Sequence, residues 1–170
     1  MSASHSLLRH TVATLAYRAE KALRDVPQDF ADFRASPGSR TALAIVAHLG
    51  DLMDWAIRMA RGETRWKPVP QTAWTDATDR FFNGLAALDA AIAETAPETP
   101  TQEKLFQGPI ADALTHVGQL SLMRGMTGSP VRPESYARAS ITIGRVGRDQ
   151  DSVRTEFYGD ASPPADVERT

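Results

Sequence analysis

Leu43-Ala-Ile-Val-Ala-His-Leu-Gly-Asp-Leu-Met-Asp-Trp-Ala-Ile-Arg-Met-Ala-Arg-Gly62 is the stretch whose reading decides the fold. Leu43, Val46, Gly50, Met53, Ile57 and Ala60 recur at spacings of three and four, which sets them along one face of a helix. His48, Leu52, Trp55 and Met59 form a second, mostly apolar wall. Asp51, Asp54, Arg58 and Arg61 gather on a charged stripe, the side expected to face water. Gly62 is expected to close the helix. Two apolar walls would serve a core and a subunit contact, so a homodimer is one expectation.

The same pattern recurs on either side. Leu8, Val12, Leu15, Ala19, Ala22 and Val26 make the face of a first helix that Pro27 ends. Residues 27–39, with Ser36-Pro37-Gly38, read as a loop. Residues 63–71 carry Trp66, Pro68 and Pro70 and read as a rigid crossing. Thr72 or Thr75 can cap a third helix, whose core face is Phe81, Leu85, Leu88 and Ile92. Ala96-Pro-Glu-Thr-Pro100 breaks the chain, and a fourth helix is predicted from near Pro109, because proline suits a first turn. Its buried stripe is Ile110, Ala113, Leu114, Val117 and Leu120, and it runs out at Gly125-Met-Thr-Gly-Ser-Pro130. Four amphipathic helices predict an all-α four-helix bundle. Residues 1–150 form a single domain that includes an irregular C-terminal strap, where Ile141 and Ile143 alternate and Gly144 and Gly147 punctuate. Residues 151–170, with Pro163-Pro164, are expected to be a flexible tail.

Composition narrows the function classes. The chain has 170 residues, enough for one domain with a substantial core. A net charge of −2 gives no electrostatic pull toward nucleic acid. The absence of cysteine removes disulfides, thiolate metal sites and a cysteine nucleophile together, and fits a reducing cytoplasm. The N-terminus shows no signal-peptide core, and no apolar run approaches the roughly 20 residues of a membrane span. No serine sits in an elbow motif, and no phosphate-binding loop is present.

The chemistry-bearing pattern is Asp112 and His116, within Gly108-Pro-Ile-Ala-Asp-Ala-Leu-Thr-His-Val-Gly-Gln119. Residues four apart share a helix face, so a carboxylate and an imidazole stack there. His48, turned about 100° from the middle of its helix's charged stripe, faces inward or along a groove. Together the three would make a two-histidine, one-carboxylate set with open positions. Each member also has a structural alternative. Either histidine can be a core residue bonded to a carbonyl, and a carboxylate is favoured in any first helical turn. Gln119, one turn beyond His116, could orient a bound molecule or be an ordinary boundary residue. Trp55, Trp66 and Trp74 could line a pocket mouth or anchor core and loops. His5 and His10, near the start, are expected to be exposed, as are Arg124, Arg132, Arg145 and Arg148.

Ile45-Val-Ala-His48-Leu-Gly-Asp-Leu52 and His116-Val-Gly-Gln119 resemble the second-helix histidine motif and the last-helix motif of the DinB-like (DNA-damage-inducible B) family of metalloenzymes. The resemblance extends over residues 5–130. It implies a metal held by His48 and His116, with Asp112 standing where relatives carry a further histidine. Either the aspartate serves as an oxygen ligand in place of a nitrogen one, or this branch has lost the metal; substitution is the expectation, since aspartate is a competent ligand. Relatives include S-transferases and isomerases that use low-molecular-weight thiols, so the resemblance implies a divalent ion that activates a thiol or water toward a small-molecule substrate. Zinc is favoured, with nickel or iron(II) also suited to the donor set. The alternative is a non-catalytic module that binds a metal or ligand.

Overall fold

A computed structural model describes residues 3–70, 73–151 and 155–157. Among them the chain is an all-α bundle, with two isolated bridges and no strand. The helices are α1 (Ala3–Leu23), α2 (Ala42–Ala60), α3 (Trp74–Thr95), α4 (Thr99–Leu105) and α5 (Ala111–Met126). Each of α1 and α2 packs against both α3 and the α4–α5 rod, so α1 and α2 occupy opposite corners. Val12, Leu15, Leu49, Met53, Phe81, Leu85, Leu88, Ile110 and Leu120 fill the centre.

Local chemistry sets the ends of α2. The Thr41 hydroxyl accepts from the Ala44 amide at 3.0 Å and caps the first turn. At the far end Gly62 takes φ +85°, a conformation that costs a residue without a Cβ little. The amides of Gly62 and Glu63 then return to the carbonyls of Met59 and Arg58. Along its length α2 lies very close to α3: a Cβ added at Gly84 would stand 2.7 Å from the Met53 Cβ. Asp51, expected on the wet stripe, is buried in this contact, where it accepts from Arg80 at 2.7 Å and from the Val69 amide at 3.0 Å.

Several elements depart from expectation for identifiable reasons. Helix α1 stops at Leu23, ahead of Pro27, because Asp25 turns into the left-handed region at φ +49°. The exposed carbonyls that result are taken by Arg124, whose guanidinium donates to Arg24 O at 2.6 Å and to Ala22 O at 3.3 Å. Arg124 is therefore buried rather than exposed. His5 is buried as well, whereas His10 is exposed as expected. Helix α3 starts after Ala73 without a side-chain cap; Thr75 lies within its first turn, and Thr72 falls outside the described residues.

The largest departure is at the fourth helix. It begins ten residues early, at Thr99, with Pro100 in its first turn. It then runs through Pro109 by widening into a π-helical turn, Phe106–Ile110. Proline brings no amide and crowds the carbonyl four residues back. A turn enlarged by one residue relieves both problems, and the Ala111 amide reaches Phe106 O instead. Asp112 thus sits inside a continuous helical rod rather than at a free helix N-terminus.

Beyond α5 the chain is an irregular strap. It is fixed by a buried cluster in which Lys21 pairs with Glu134 and, at 3.1 Å, with Glu156. Tyr17 donates to Glu134, and Arg24 pairs with Glu156. Residues 155–157, within the stretch expected to be a tail, are docked here through the Glu134–Glu156 bridge. Residues 152–154 and 158–170, including Pro163-Pro164, fall outside the described residues. Burial alone would raise the Glu134 carboxyl, but hydrogen bonds from Lys21 and Tyr17 and the Lys21 charge hold it below its ordinary value. The same balance, with Lys21 and Arg24 as partners, lowers Glu156.

Two outcomes follow from this packing. Gly84→Ala should destabilise the fold by about 1–3 kcal/mol, read as a lower denaturant midpoint, because the Met53 Cβ belongs to a rigid part of its side chain. The Glu134 contribution is present above the unfolded carboxylate pKa and disappears as pH falls through the lower folded value. Glu134→Gln should therefore cost about 3–5 kcal/mol at neutral pH, since it strands part of a buried ion pair. Its stability curve should converge on that of the parent under acid conditions, as measured by urea unfolding at a series of pH values.

Candidate metal centre

The π turn matters to the site because one extra residue rotates everything after it by about 100°. Downstream of it, Asp112 and His116 share the α5 face that meets His48 on α2. His48 Nε2 lies 3.5 Å from Asp112 Oδ2, and His116 Nε2 lies 3.5 Å from Asp112 Oδ1. The two imidazole rings stand edge to face, 5.0 Å apart. One ligand atom from each of the three residues falls within 4.8 Å of the other two. The group could hold a metal ion.

The donor chemistry fits that role. Separations of 3.5 Å are long for hydrogen bonds. The two separations end on different carboxylate oxygens, so the Asp112 carboxylate turns one oxygen to each imidazole. Both histidines are largely covered, with side chains 19% and 12% exposed, while Asp112 is 47% exposed. Burial, then the charge of Arg40 and the proximity of His116, hold the His48 imidazole below its ordinary 6.5, against the opposing pull of Asp112. At neutral pH it therefore presents a lone pair rather than a proton.

Gln119 has a defined place. Its Oε1 accepts from His116 Nδ1 at 2.8 Å, so with the amide oxygen facing the ring the proton sits on Nδ1 and Nε2 points toward Asp112. Gln119 thus orients the imidazole itself. The tryptophans divide. Trp66 stacks edge-on against both His48 and Trp55, at 5.7 Å in each case. Trp55 lies behind it, and its indole N–H finds no acceptor among the described residues. Trp74 packs on Phe30, in the core.

The three candidate ligands open onto a groove of about 600 Å³, lined also by Arg40, Ile45, Gln119, Leu122 and Met123. Ala35 and Ser39, from the loop before α2, complete it. The loop's contribution, Arg40 above all, is not marked in the sequence. A single arginine next to a helix cap has no spacing that separates it from a solvated surface residue. The remaining basic candidates lie elsewhere, Arg148 paired with Asp79 and Arg145 with Asp151.

The Gln119 contact has a measurable signature that needs no ligand. Nitrogen-resolved NMR of the neutral His116 ring should show the Nδ1-protonated tautomer, and Gln119→Leu should shift it toward the Nε2-protonated form. An unchanged tautomer would mean that Gln119 does not set the ring.

Compared with protein-family models, with curated proteins and with solved structures, the chain matches none.

Proposed function

We propose that this groove is the centre of a divalent-metal-dependent enzyme of the DinB-like kind, activating a thiol or water for S-transfer to, or hydrolysis of, a small molecule. The observation that carries the proposal is the convergence of two imidazole nitrogens and a carboxylate within 4.8 Å at the floor of an open groove. The resemblance supports it from a separate direction, since His48 and the His116-Val-Gly-Gln119 motif carry it. Zinc suits the two imidazole nitrogens and one carboxylate best, with nickel or iron(II) as alternatives. A bound ion would supply Lewis acidity, lowering the pKa of a coordinated thiol or water.

The protein's own residues do the rest. His48 offers a neutral nitrogen at physiological pH, Gln119 fixes the His116 ring, and Asp112 adds the one negative charge. Ile45, Leu122 and Met123 give an apolar wall against which the body of a substrate can lie. The lining adds no further carboxylate or imidazole, so a proton-abstracting base has to be replaced by acidification of the nucleophile. A reducing cytoplasm, which keeps small thiols reduced and suits a chain without cysteine, is the compartment this function calls for.

A second reading, a non-catalytic ligand-binding module that forms a homodimer, draws on exposed Leu122 and Met126, one turn apart on α5. Metal-dependent turnover of a thiol with a panel of electrophiles would exclude it as the whole account.

Protein purified without chelator should contain about one ion per chain by elemental analysis. His48→Ala and His116→Ala should empty it, and Gln119→Leu should weaken metal affinity about 10–100-fold. Stripping the ion should lower the thermal midpoint by mass action. Metal-free wild-type protein that gains no stability from added zinc would defeat the proposal.

A further inference from the structure

Arg40 supplies the only fixed positive charge among the described residues that line the groove. Its backbone is held firmly. Thr41, next in the chain, caps α2 and bridges to Arg34, and the Ala42 amide donates to Phe33 O at 3.0 Å. Its side chain is exposed and pairs with no carboxylate among the described residues. Arg9, Arg80 and Arg148, by contrast, each close on aspartates.

The acceptors of the lining, the Asp112 carboxylate and the two imidazoles, gather in one cluster. Gln119 spends its carbonyl oxygen on His116, which leaves its NH2 group facing no recorded acceptor. The Ser39 hydroxyl is already engaged with Ser36. Asp112 is the one anion, and it faces the two histidines. Ile45, Leu122 and Met123 form the apolar side. A guanidinium that no carboxylate among the described residues answers, carried at the edge of such a groove on a well-held backbone, matches a carboxylate in geometry and charge.

We propose that Arg40 is a specificity-determining residue that binds a carboxylate on the substrate, so that the groove takes small anionic molecules with a short apolar body and a reactive end directed at His48, Asp112 and His116. The proposal rests on the groove being the substrate site, as in the function proposed above.

The test compares mercaptoacetate with mercaptoethanol, which share a thiol and differ in the carboxylate. Dissociation constants are read from backbone amide shifts of groove residues, on zinc-loaded and on chelator-stripped protein. Wild-type protein should bind mercaptoacetate at least about tenfold more tightly than mercaptoethanol in both forms, the lower end for one charge-assisted contact. Arg40→Gln should abolish that preference while leaving mercaptoethanol binding within about twofold, which also reports an intact groove. Arg40→Lys should keep part of it, since it keeps the charge and loses the fork. Equal affinities in the wild type, a preference that survives Arg40→Gln, or no binding of either thiol to either form would overturn the proposal. A protein that takes up no zinc yet keeps an Arg40-dependent preference would defeat the metal function and leave this inference standing.

Discussion

A proline inside a helix is the constraint around which the candidate site is organised. Pro109 can offer no amide, and its ring cannot share space with the carbonyl one turn back. The rod from Thr99 to Met126 continues because one turn widens to the π form. That turn does more than relieve a clash. A Cβ built at Gly108 would stand 3.6 Å from the Trp55 ring, an ordinary van der Waals distance, so the widened turn packs against α2. The helix resumes in a new rotational phase, and that phase brings Asp112 and His116 opposite His48.

Elsewhere the molecule satisfies its buried charges closely. Arg9 grips Asp89 through two bonds, Arg80 spans Asp51 and Asp54, and Arg124 gathers the carbonyls at the end of α1. The three residues at the groove floor differ. Asp112 faces each histidine at 3.5 Å, longer than a strong hydrogen bond. Structural polar groups contract until they are satisfied. These three stay apart and could hold a metal ion.

What was legible in the sequence follows from how local each signal is. The apolar stripes of α1, α2, α3 and α5 could be read because helical periodicity is written within a dozen residues. Helix α4 could not, since its seven residues bury only Gln102 and Leu105 and leave no stripe. Pro109 misled for a related reason: a proline that begins a helix and a proline that a π turn absorbs look alike without the preceding turn. His48, Asp112, His116 and Gln119 were visible as residue types at helical spacing, but their convergence depends on how α2 meets α5. Arg40, Lys21 and Arg124 take their meaning from partners far along the chain, and no local pattern announces them.

The buried Lys21 has a consequence for the order in which the molecule is made. Its carboxylate partner Glu134 lies 113 positions later in the chain, and Glu156 later still. Removing an ammonium from water with no counter-charge costs several kcal/mol. While the chain is being synthesised, the end of α1 that bears Lys21 therefore has to remain hydrated, although its apolar neighbours could already be covered by α3. Closure of that end waits for Glu134 and Glu156 to arrive. Helix α1 is sealed at this end only after Glu134 has emerged, and nascent chains stopped short of Glu134 would retain a wet seam along it.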